Sequence, residues 1–391
     1  MDSNIKKSLI ALAFGTLGLG VAEFVMMGIL PNVALSLGIT TPVAGHLISA
    51  YALGVCFGAI MLLMLRKYPM KNSLLFLVTI MVIGNGIAVI SPSYTVMLLA
   101  RFISGLPHGA YFGVASIVAS KIAQEGKESE AVAIMISGMT VANLFGVPLG
   151  TFISGILSWR LIFLFIVLWD ILTMFLIKKY VPYIAPLPDT GFLGQFKFLK
   201  SLAPWLILGA TMMGNGGAFC WYSYVTPMFT EVSGFAPEII TALMVLAGLG
   251  MVIGNMIGGK LSSFFYPGKV GAMFQGLMSI TLLGIFFLSP YKWLAVLLMC
   301  IVTLCLFGVS APQQFLIIKF APGGEMLGAA GIQIAFNLGN AIGAYLGGLL
   351  GGLPITYGIG VRYSALIASG IAVLGFILFS LFNYLYQPKK Q

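Results

Sequence analysis

The 391-residue chain is a succession of long apolar segments, and this pattern limits what it can fold into. A helix needs about 20 apolar residues to cross the hydrocarbon core of a bilayer. Because backbone groups in hydrocarbon must find hydrogen bonds within their own segment, each such segment is predicted to be a helix. Twelve segments meet the length requirement. The predicted spans are 8–30, 42–65, 73–91, 95–119, 131–157, 160–178, 203–227, 238–261, 270–289, 293–318, 327–350 and 360–386.

The scarcity and placement of charges agree with membrane spans. Only 8% of the residues are charged, whereas soluble domains carry about 25%. The formal net charge of +10 is compatible with nucleic-acid binding, but sixteen of the twenty Lys and Arg residues fall on one side when each span reverses the chain. Such a bias identifies the cytoplasmic side of a membrane protein. We therefore expect cytoplasmic N- and C-termini, and we expect no nucleic-acid partner.

Glycine spacing indicates that the chain contains two related halves. Glycines at intervals of 4 and 8 residues recur after 196 and 193 residues. The matching sets are Gly54 and Gly58 with Gly250 and Gly254, and Gly138, Gly146 and Gly150 with Gly331, Gly339 and Gly343. Parallel repeats are common in secondary transporters, whose substrate site lies near the membrane midplane between the repeats. We predict an N-terminal six-helix bundle at 1–180, a central cytoplasmic linker at 181–202 and a C-terminal six-helix bundle at 203–391.

Glu23, Arg101, His108 and Asp170 lie well inside predicted spans, where charges are costly and usually mark ion or substrate routes. Glu23 and Arg101 each lie about seven residues, or roughly 10 Å, from the outer end of a span. They form either a structural pair or a proton-coupling pair. His108 shares a face with Arg101, as a second proton carrier, a substrate ligand or a hydrogen-bonded packing residue. Asp170 is isolated in sequence, and a local hydrogen bond is the favoured interpretation over a coupling role.

Neutral polar and aromatic residues also occur inside predicted spans. Amides hydrogen-bond hydroxyl groups and aromatic rings contact apolar surfaces, so this composition suits a sugar or an uncharged amphipathic compound. The alternative for each amide is a hydrogen bond between neighbouring helices. The candidate substrate-binding residues are Asn143, Asn215, Phe219, Trp221, Tyr222, Gln313, Gln314, Gln333, Asn337 and Asn340.

Signals for an enzyme or a nucleotide-driven pump are weak. The segment GNMIGGK at 254–260 resembles a phosphate-binding loop, but Leu261 replaces the required Ser or Thr and the context is a membrane helix. The sequence holds no HExxH motif and no clustered metal ligands. We therefore predict that the chain is not an enzyme and needs no cofactor or metal, and that a proton gradient supplies the energy.

Three motifs resemble those of the major facilitator superfamily, in its drug-and-sugar proton antiporter group. RFISGLPHGAYFG resembles the span-4 motif whose Arg is linked to proton coupling, which maps to Arg101. AEFVMMGILP resembles the acidic motif of span 1, which maps to Glu23. GMTVANLFGVPLG resembles the antiporter motif, which maps to Gly138, Gly146, Pro148 and Gly150. The similarity runs the whole length and looks strongest to the AraJ-type arabinose efflux proteins.

The resemblance implies a two-bundle fold that works by alternating access in a bacterial inner membrane. The implied activity is proton-coupled efflux of a sugar such as arabinose, or of a small amphipathic drug-like compound. The implied partners are the small-molecule substrate, protons and the lipid bilayer, and we expect a monomer. One departure is the loop MLRKYPMKN, which lacks the Asp that the family usually carries there. The alternatives are a symporter or uniporter for uptake, and a membrane sensor or intramembrane enzyme without transport.

Overall fold

The computed structural model describes residues 3–39, 41–44, 46–188, 191–351 and 359–387. The C-terminus, which is predicted to be cytoplasmic, therefore lies outside the described residues. All regular elements in these ranges are helical. The longer helices are α1 (Ser3–Leu37), α2 (His46–Leu65), α3 (Met70–Ile90), α4 (Tyr94–Ile122), α5 (Glu128–Val141), α6 (Val147–Ile156), α7 (Arg160–Tyr180), α8 (Leu202–Tyr222), α9 (Ile240–Leu261), α10 (Pro267–Leu288), α11 (Lys292–Gly308), α12 (Ser310–Lys319), α13 (Glu325–Gly351) and α14 (Ile359–Tyr386).

The predicted class, an all-helical membrane protein, is confirmed. Within the described residues, nine helices are long and apolar enough to cross a bilayer. Two predicted spans are each divided into two of these longer helices. The span predicted at 131–157 comprises α5, a π-helical turn at Ala142–Gly146 and α6, and the span predicted at 293–318 breaks at Val309 between α11 and α12. The total of twelve spans stays a prediction.

The outward faces of the helices are apolar, which is the opposite of the pattern in a water-soluble helix. On α7, Leu168 and Phe175 are 59% and 58% exposed, while Asp170 on the other side is fully buried. Because exposed apolar surface of this extent is stable only against lipid, the helix orients its polar residue inward. The composition of α7 therefore indicates that lipid surrounds it, and it determines which face of the helix turns toward the protein interior.

The described helices form two compact units. The N unit comprises Met1–Phe198 together with Ala321–Ile334, and the C unit comprises Leu199–Phe320 together with Ala335–Gln391. Helix α13 therefore contributes its first ten residues to the N unit and the remainder to the C unit.

The repeated glycines serve the same purpose in each unit. They allow α2 to approach α4, and α9 to approach α11, so closely that an added Cβ atom would overlap the facing backbone. The paired contacts are Gly54 with the Phe102 carbonyl, Gly58 with the Leu106 carbonyl, Gly250 with the Cys300 carbonyl and Gly254 with the Leu304 carbonyl. Close packing through small residues is the usual way that helices associate in lipid.

Two arginines at equivalent places also repeat. Arg160 at the start of α7 donates to the Ser91 carbonyl at the end of α3, at 2.8 Å. Arg362 at the start of α14 donates to the Phe286 carbonyl in the last turn of α10, at 2.7 Å. Each cation lies at the C-terminal end of a helix, where the helix dipole favours positive charge. The two units therefore use the same electrostatic connection.

Candidate functional site

Helix α4 positions the two basic residues of the candidate site. It is mostly buried, and Arg101 and His108 are fully buried on it. Gly105 lies between them and faces the Tyr51 carbonyl of α2, where a Cβ atom would overlap. The side chain of Tyr51 is thereby held against both basic residues.

The Arg101 guanidinium bonds backbone oxygens of two other helices. Its Nη1 donates to the Ala22 carbonyl of α1 at 2.7 Å, and its Nε donates to the Leu47 carbonyl of α2 at 3.3 Å. The guanidinium carbon also lies 4.4 Å from the centre of the Tyr51 ring. Arg101 therefore connects α1, α2 and α4 through hydrogen bonds and a cation–π contact.

Glu23 lies beside His108. Its Oε2 is 3.8 Å from His108 Nδ1, and its side chain is 12% exposed. The Tyr51 hydroxyl shares a 2.9 Å hydrogen bond with the same Nδ1. The imidazole stacks on Phe112 with ring centres 5.2 Å apart. Glu23, His108 and Arg101 thus lie around one tyrosine, and the histidine is the nearest titratable side chain to Glu23 among the described contacts.

Each ionisable residue of this cluster retains a buried polar atom without a hydrogen bond in the described part of the chain. These atoms are Glu23 Oε2, Arg101 Nη2 and His108 Nε2. Buried polar atoms are normally paired, and exceptions often have a functional reason. A carboxyl, an imidazole and a tyrosine hydroxyl within reach of one another are groups that gain, lose or relay a proton.

Replacement of Tyr51 separates its two contacts. Tyr51→Phe removes the hydroxyl bond to His108 but keeps the ring under Arg101, so the free energy of unfolding should fall by about 1 kcal/mol. Tyr51→Leu also removes the ring, and should cost at least ~1 kcal/mol more. Thermal unfolding of the two purified variants measures the difference. Equal stability of the two would show that the cation–π contact contributes nothing.

The glycines of the antiporter motif pack against α1, which carries Glu23. A Cβ atom at Gly138 would overlap the Ala13 carbonyl, and one at Gly146 or Gly150 would press on a valine of α1. The π-helical turn at Ala142–Gly146 ends two residues before Pro148. Since proline has no N–H, it interrupts the helical bonding at this place. The bend that Pro148 predicts therefore coincides with a π turn at the contact with α1.

The C unit brings together several of the neutral candidates. Thr211 of α8 donates to Gln313 Oε1 at 3.0 Å, and Asn215 donates to the Thr211 carbonyl at 2.8 Å. The Phe219 ring lies 5.9 Å from both Tyr222 and Phe336, measured between ring centres. This unit therefore holds buried amides and an aromatic cluster, the two kinds of group predicted for substrate contact.

The other candidates are dispersed. Trp221 is buried beside Tyr222, and Asn143 donates to the Met139 carbonyl in the N unit at 3.0 Å. Gln333 belongs to the part of α13 that is grouped with the N unit. The remaining positions, buried or half-buried, are Gln314, Asn337 and Asn340.

Sequence reasoning missed Tyr51, Asn85 and Phe336. Tyr51 had a usable signal, because it precedes Gly54 by three residues and so shares the face that approaches α4. Asn85 donates to Asp170 Oδ2 at 3.3 Å, which supplies the local hydrogen bond favoured for Asp170. Phe336 lies one residue from Asn337 and had no separate signal.

The fold and the buried cluster define a polytopic helical membrane protein with ionisable groups in its interior. The model of the Major Facilitator Superfamily matches residues 12–333. AraJ of Escherichia coli (strain K12) is 47% identical over 388 residues, which cover 99% of this chain and 97% of AraJ. The chain belongs to the Major Facilitator Superfamily and is a membrane transporter rather than an enzyme.

Two further comparisons are more distant. A Helicobacter pylori (strain J99 / ATCC 700824) protein named "Probable sugar efflux transporter" is 26% identical, over 94% of this chain and 91% of that protein. The crystal structure of the Escherichia coli fucose:proton symporter FucP has a TM-score of 0.75 at 15% identity, covering 96% of this chain and 98% of FucP. This structural likeness shows the fold alone.

Proposed function

We propose that the protein exports a small solute in exchange for protons. The observation that carries the proposal is the buried cluster in which Glu23 lies 3.8 Å from His108 and Tyr51 joins His108 to Arg101. Glu23 is the proton-binding group, and His108 and Tyr51 provide a path along which a proton moves. Arg101 positions α1 and α2 around the carboxyl.

Coupling requires that proton binding and substrate binding favour different conformations. The π turn at Ala142–Gly146 and the glycine contacts with α1 support this, because they allow the helix that carries Glu23 to shift against α5 and α6. A change in the ionisation of Glu23 then alters its interaction with His108 and biases the position of α1. We propose alternating access as the consequence.

The proposed substrate is a sugar such as arabinose, or a small uncharged amphipathic compound. The C unit supports this class, because Asn215 and Gln313 are buried amides and Phe219, Tyr222 and Phe336 form a connected aromatic cluster. Hydroxyl groups of a sugar pair with amides, and apolar faces pack on rings. The name of the Helicobacter pylori relative and the AraJ resemblance favour the same class.

The cellular setting is part of the proposal. We propose a bacterial inner membrane, twelve spans, cytoplasmic termini and a monomer that works without a cofactor. The proposed domain division is 1–180, 181–202 and 203–391. The strongest support for the orientation is the bias of Lys and Arg residues toward one side of the predicted spans.

Everted membrane vesicles test the proposal directly. Radiolabelled arabinose and, separately, an uncharged fluorescent amphipathic compound are supplied outside vesicles whose interior is acidified. An exporter that exchanges substrate for protons should accumulate one of these probes only while the pH gradient persists, and accumulation should stop on addition of a protonophore. Uptake that stops at the outside concentration and ignores the pH gradient would indicate a uniporter. Proton-driven movement in the opposite direction would indicate symport, the activity for which FucP is named.

A further inference from the structure

Asp170 is a second buried carboxyl in the N unit, and the proposed mechanism does not use it. Its side chain is fully buried on α7. Oδ2 accepts a hydrogen bond from Asn85 of α3 at 3.3 Å, while Oδ1 has no hydrogen bond within the described residues. Oδ1 faces α1 at Gly18, where an added Cβ atom would lie 2.5 Å away. The carboxyl therefore sits at the junction of α1, α3 and α7.

The groups that face Asp170 offer no compensating charge. Asn85 is the polar contact from α3, and Tyr111 of α4 and Tyr51 of α2 are the tyrosines that interact with it electrostatically. On α1, the titratable residue nearest to Gly18 in sequence is Glu23, which is also an acid. Among the described residues, no cation lies within ion-pair distance of Asp170. An ionised, unpaired carboxylate in such a place costs several kcal/mol, and a bound proton removes that cost.

Among the described residues, the matching junction in the C unit shows an amide in place of a carboxyl. Gly214, which follows Gly18 by 196 residues, faces Gln275 of α10, and Gln275 also contacts Gly375 of α14. Gln275 is fully buried and donates to the Ala210 carbonyl at 2.8 Å. A neutral amide thus completes this three-helix junction. Packing alone does not explain why the N unit uses an acid.

We propose that Asp170, hydrogen-bonded by Asn85, is a second proton-binding site of the N unit. With Glu23 it gives the unit two carboxyls, one carried by α1 and one that faces α1 at Gly18. Reversible proton binding at Asp170 does not depend on the proposed function, whereas a part in coupling rests on it. The described residues contain no group of three or more metal-ligating side chains, which favours a proton over a metal ion as the occupant.

Infrared difference spectroscopy of the purified full chain, titrated with acid and base, tests proton binding without a substrate. A protonated buried carboxyl gives a C=O stretching band that disappears on ionisation. Asp170→Asn should lose one such pH-dependent band, Glu23→Gln should lose a different one, and Gln275→Leu should lose none. An unchanged spectrum for Asp170→Asn would overturn the proposal.

A second variant, Asn85→Ala, tests the proposal independently in case Asp170→Asn does not fold. Asn85→Ala keeps the carboxyl but removes its amide donor, so the pH midpoint of the Asp170 band should shift by about one unit, as expected for a hydrogen bond of ~1.4 kcal/mol. A midpoint that stays in place in Asn85→Ala would overturn the proposal as well. Both measurements give an answer even if the wild-type protein moves no proton during transport.

The coupling role is measured as a stoichiometry. If two protons enter per exported molecule, a tenfold proton gradient at zero membrane potential sustains about a 100-fold substrate gradient, against about tenfold for one proton. Asp170→Asn should lower the sustained gradient of the transported probe from the first value to the second. If Asp170→Asn loses the infrared band but sustains the wild-type substrate gradient, Asp170 binds a proton and its proposed role in coupling is overturned.

Discussion

Glu23→Gln is expected to abolish proton-driven accumulation in everted vesicles while leaving substrate binding intact. Glutamine has the shape of glutamate but cannot release a proton. The replaced Oε2 makes no hydrogen bond in the described structure and lies 3.8 Å from His108 Nδ1. The free energy of unfolding should therefore change by less than about 1 kcal/mol. Exchange of labelled for unlabelled substrate at equal pH on both sides should continue.

The control for this variant is Glu231→Gln, which makes the same chemical change at an exposed position of the C unit. It should accumulate the probe like the wild-type protein. Accumulation measured against an imposed pH gradient, together with equilibrium binding of the probe, separates coupling from recognition. Wild-type accumulation by Glu23→Gln would remove Glu23 from the coupling mechanism.

Apolar segments were sufficient to predict the fold class, because few backbone structures satisfy all their hydrogen bonds in hydrocarbon. They did not predict the breaks inside two of the spans. Pro148 indicates a bend, but whether the chain absorbs it as a kink or as a π turn depends on the neighbouring helix. Here the turn at Ala142–Gly146 lies where Gly20 of α1 approaches Met139 and Ala142. That contact is tertiary and leaves no local pattern.

The depth of charged residues was open to prediction, since distance from a span end translates into depth. Their partners were not. Helical periodicity states which residues of one helix share a face, but the rotation of a neighbouring helix decides what they meet. Arg101 donates hydrogen bonds to the Ala22 and Leu47 carbonyls. Because these acceptors are backbone atoms, no sequence motif predicts them. Tyr51 was overlooked because a tyrosine in an apolar segment is ordinarily a packing residue.

Arg101→Met is expected to eliminate coupling with little effect on stability. The guanidinium gains about 3 to 6 kcal/mol from two charge-assisted hydrogen bonds and up to about 2 kcal/mol from the cation–π contact. Its burial costs several kcal/mol, so the two contributions nearly cancel. The Ala22 and Leu47 carbonyls keep their helical N–H donors when the side chain is removed. The unfolding free energy should therefore stay within about 2 kcal/mol of the wild-type value.

The matched variant is Arg101→Lys, which keeps the charge but replaces the planar fork by one ammonium group. A single ammonium cannot hold the Ala22 and Leu47 carbonyls in the same geometry, so this variant should also fail to accumulate the probe. Thermal unfolding in detergent and accumulation under an imposed pH gradient provide the two readouts. Normal accumulation by Arg101→Lys would show that charge alone suffices.

Stability decides between the two interpretations of Arg101 that the sequence leaves open. A structural residue should stabilise the unit, so its removal should lower the unfolding temperature along with transport. A coupling residue is retained although its burial brings almost no net stability, because the charge changes its interactions during the cycle. An Arg101→Met protein about as stable as the wild type would support the second interpretation. An unfolded or strongly destabilised Arg101→Met protein would restore the first.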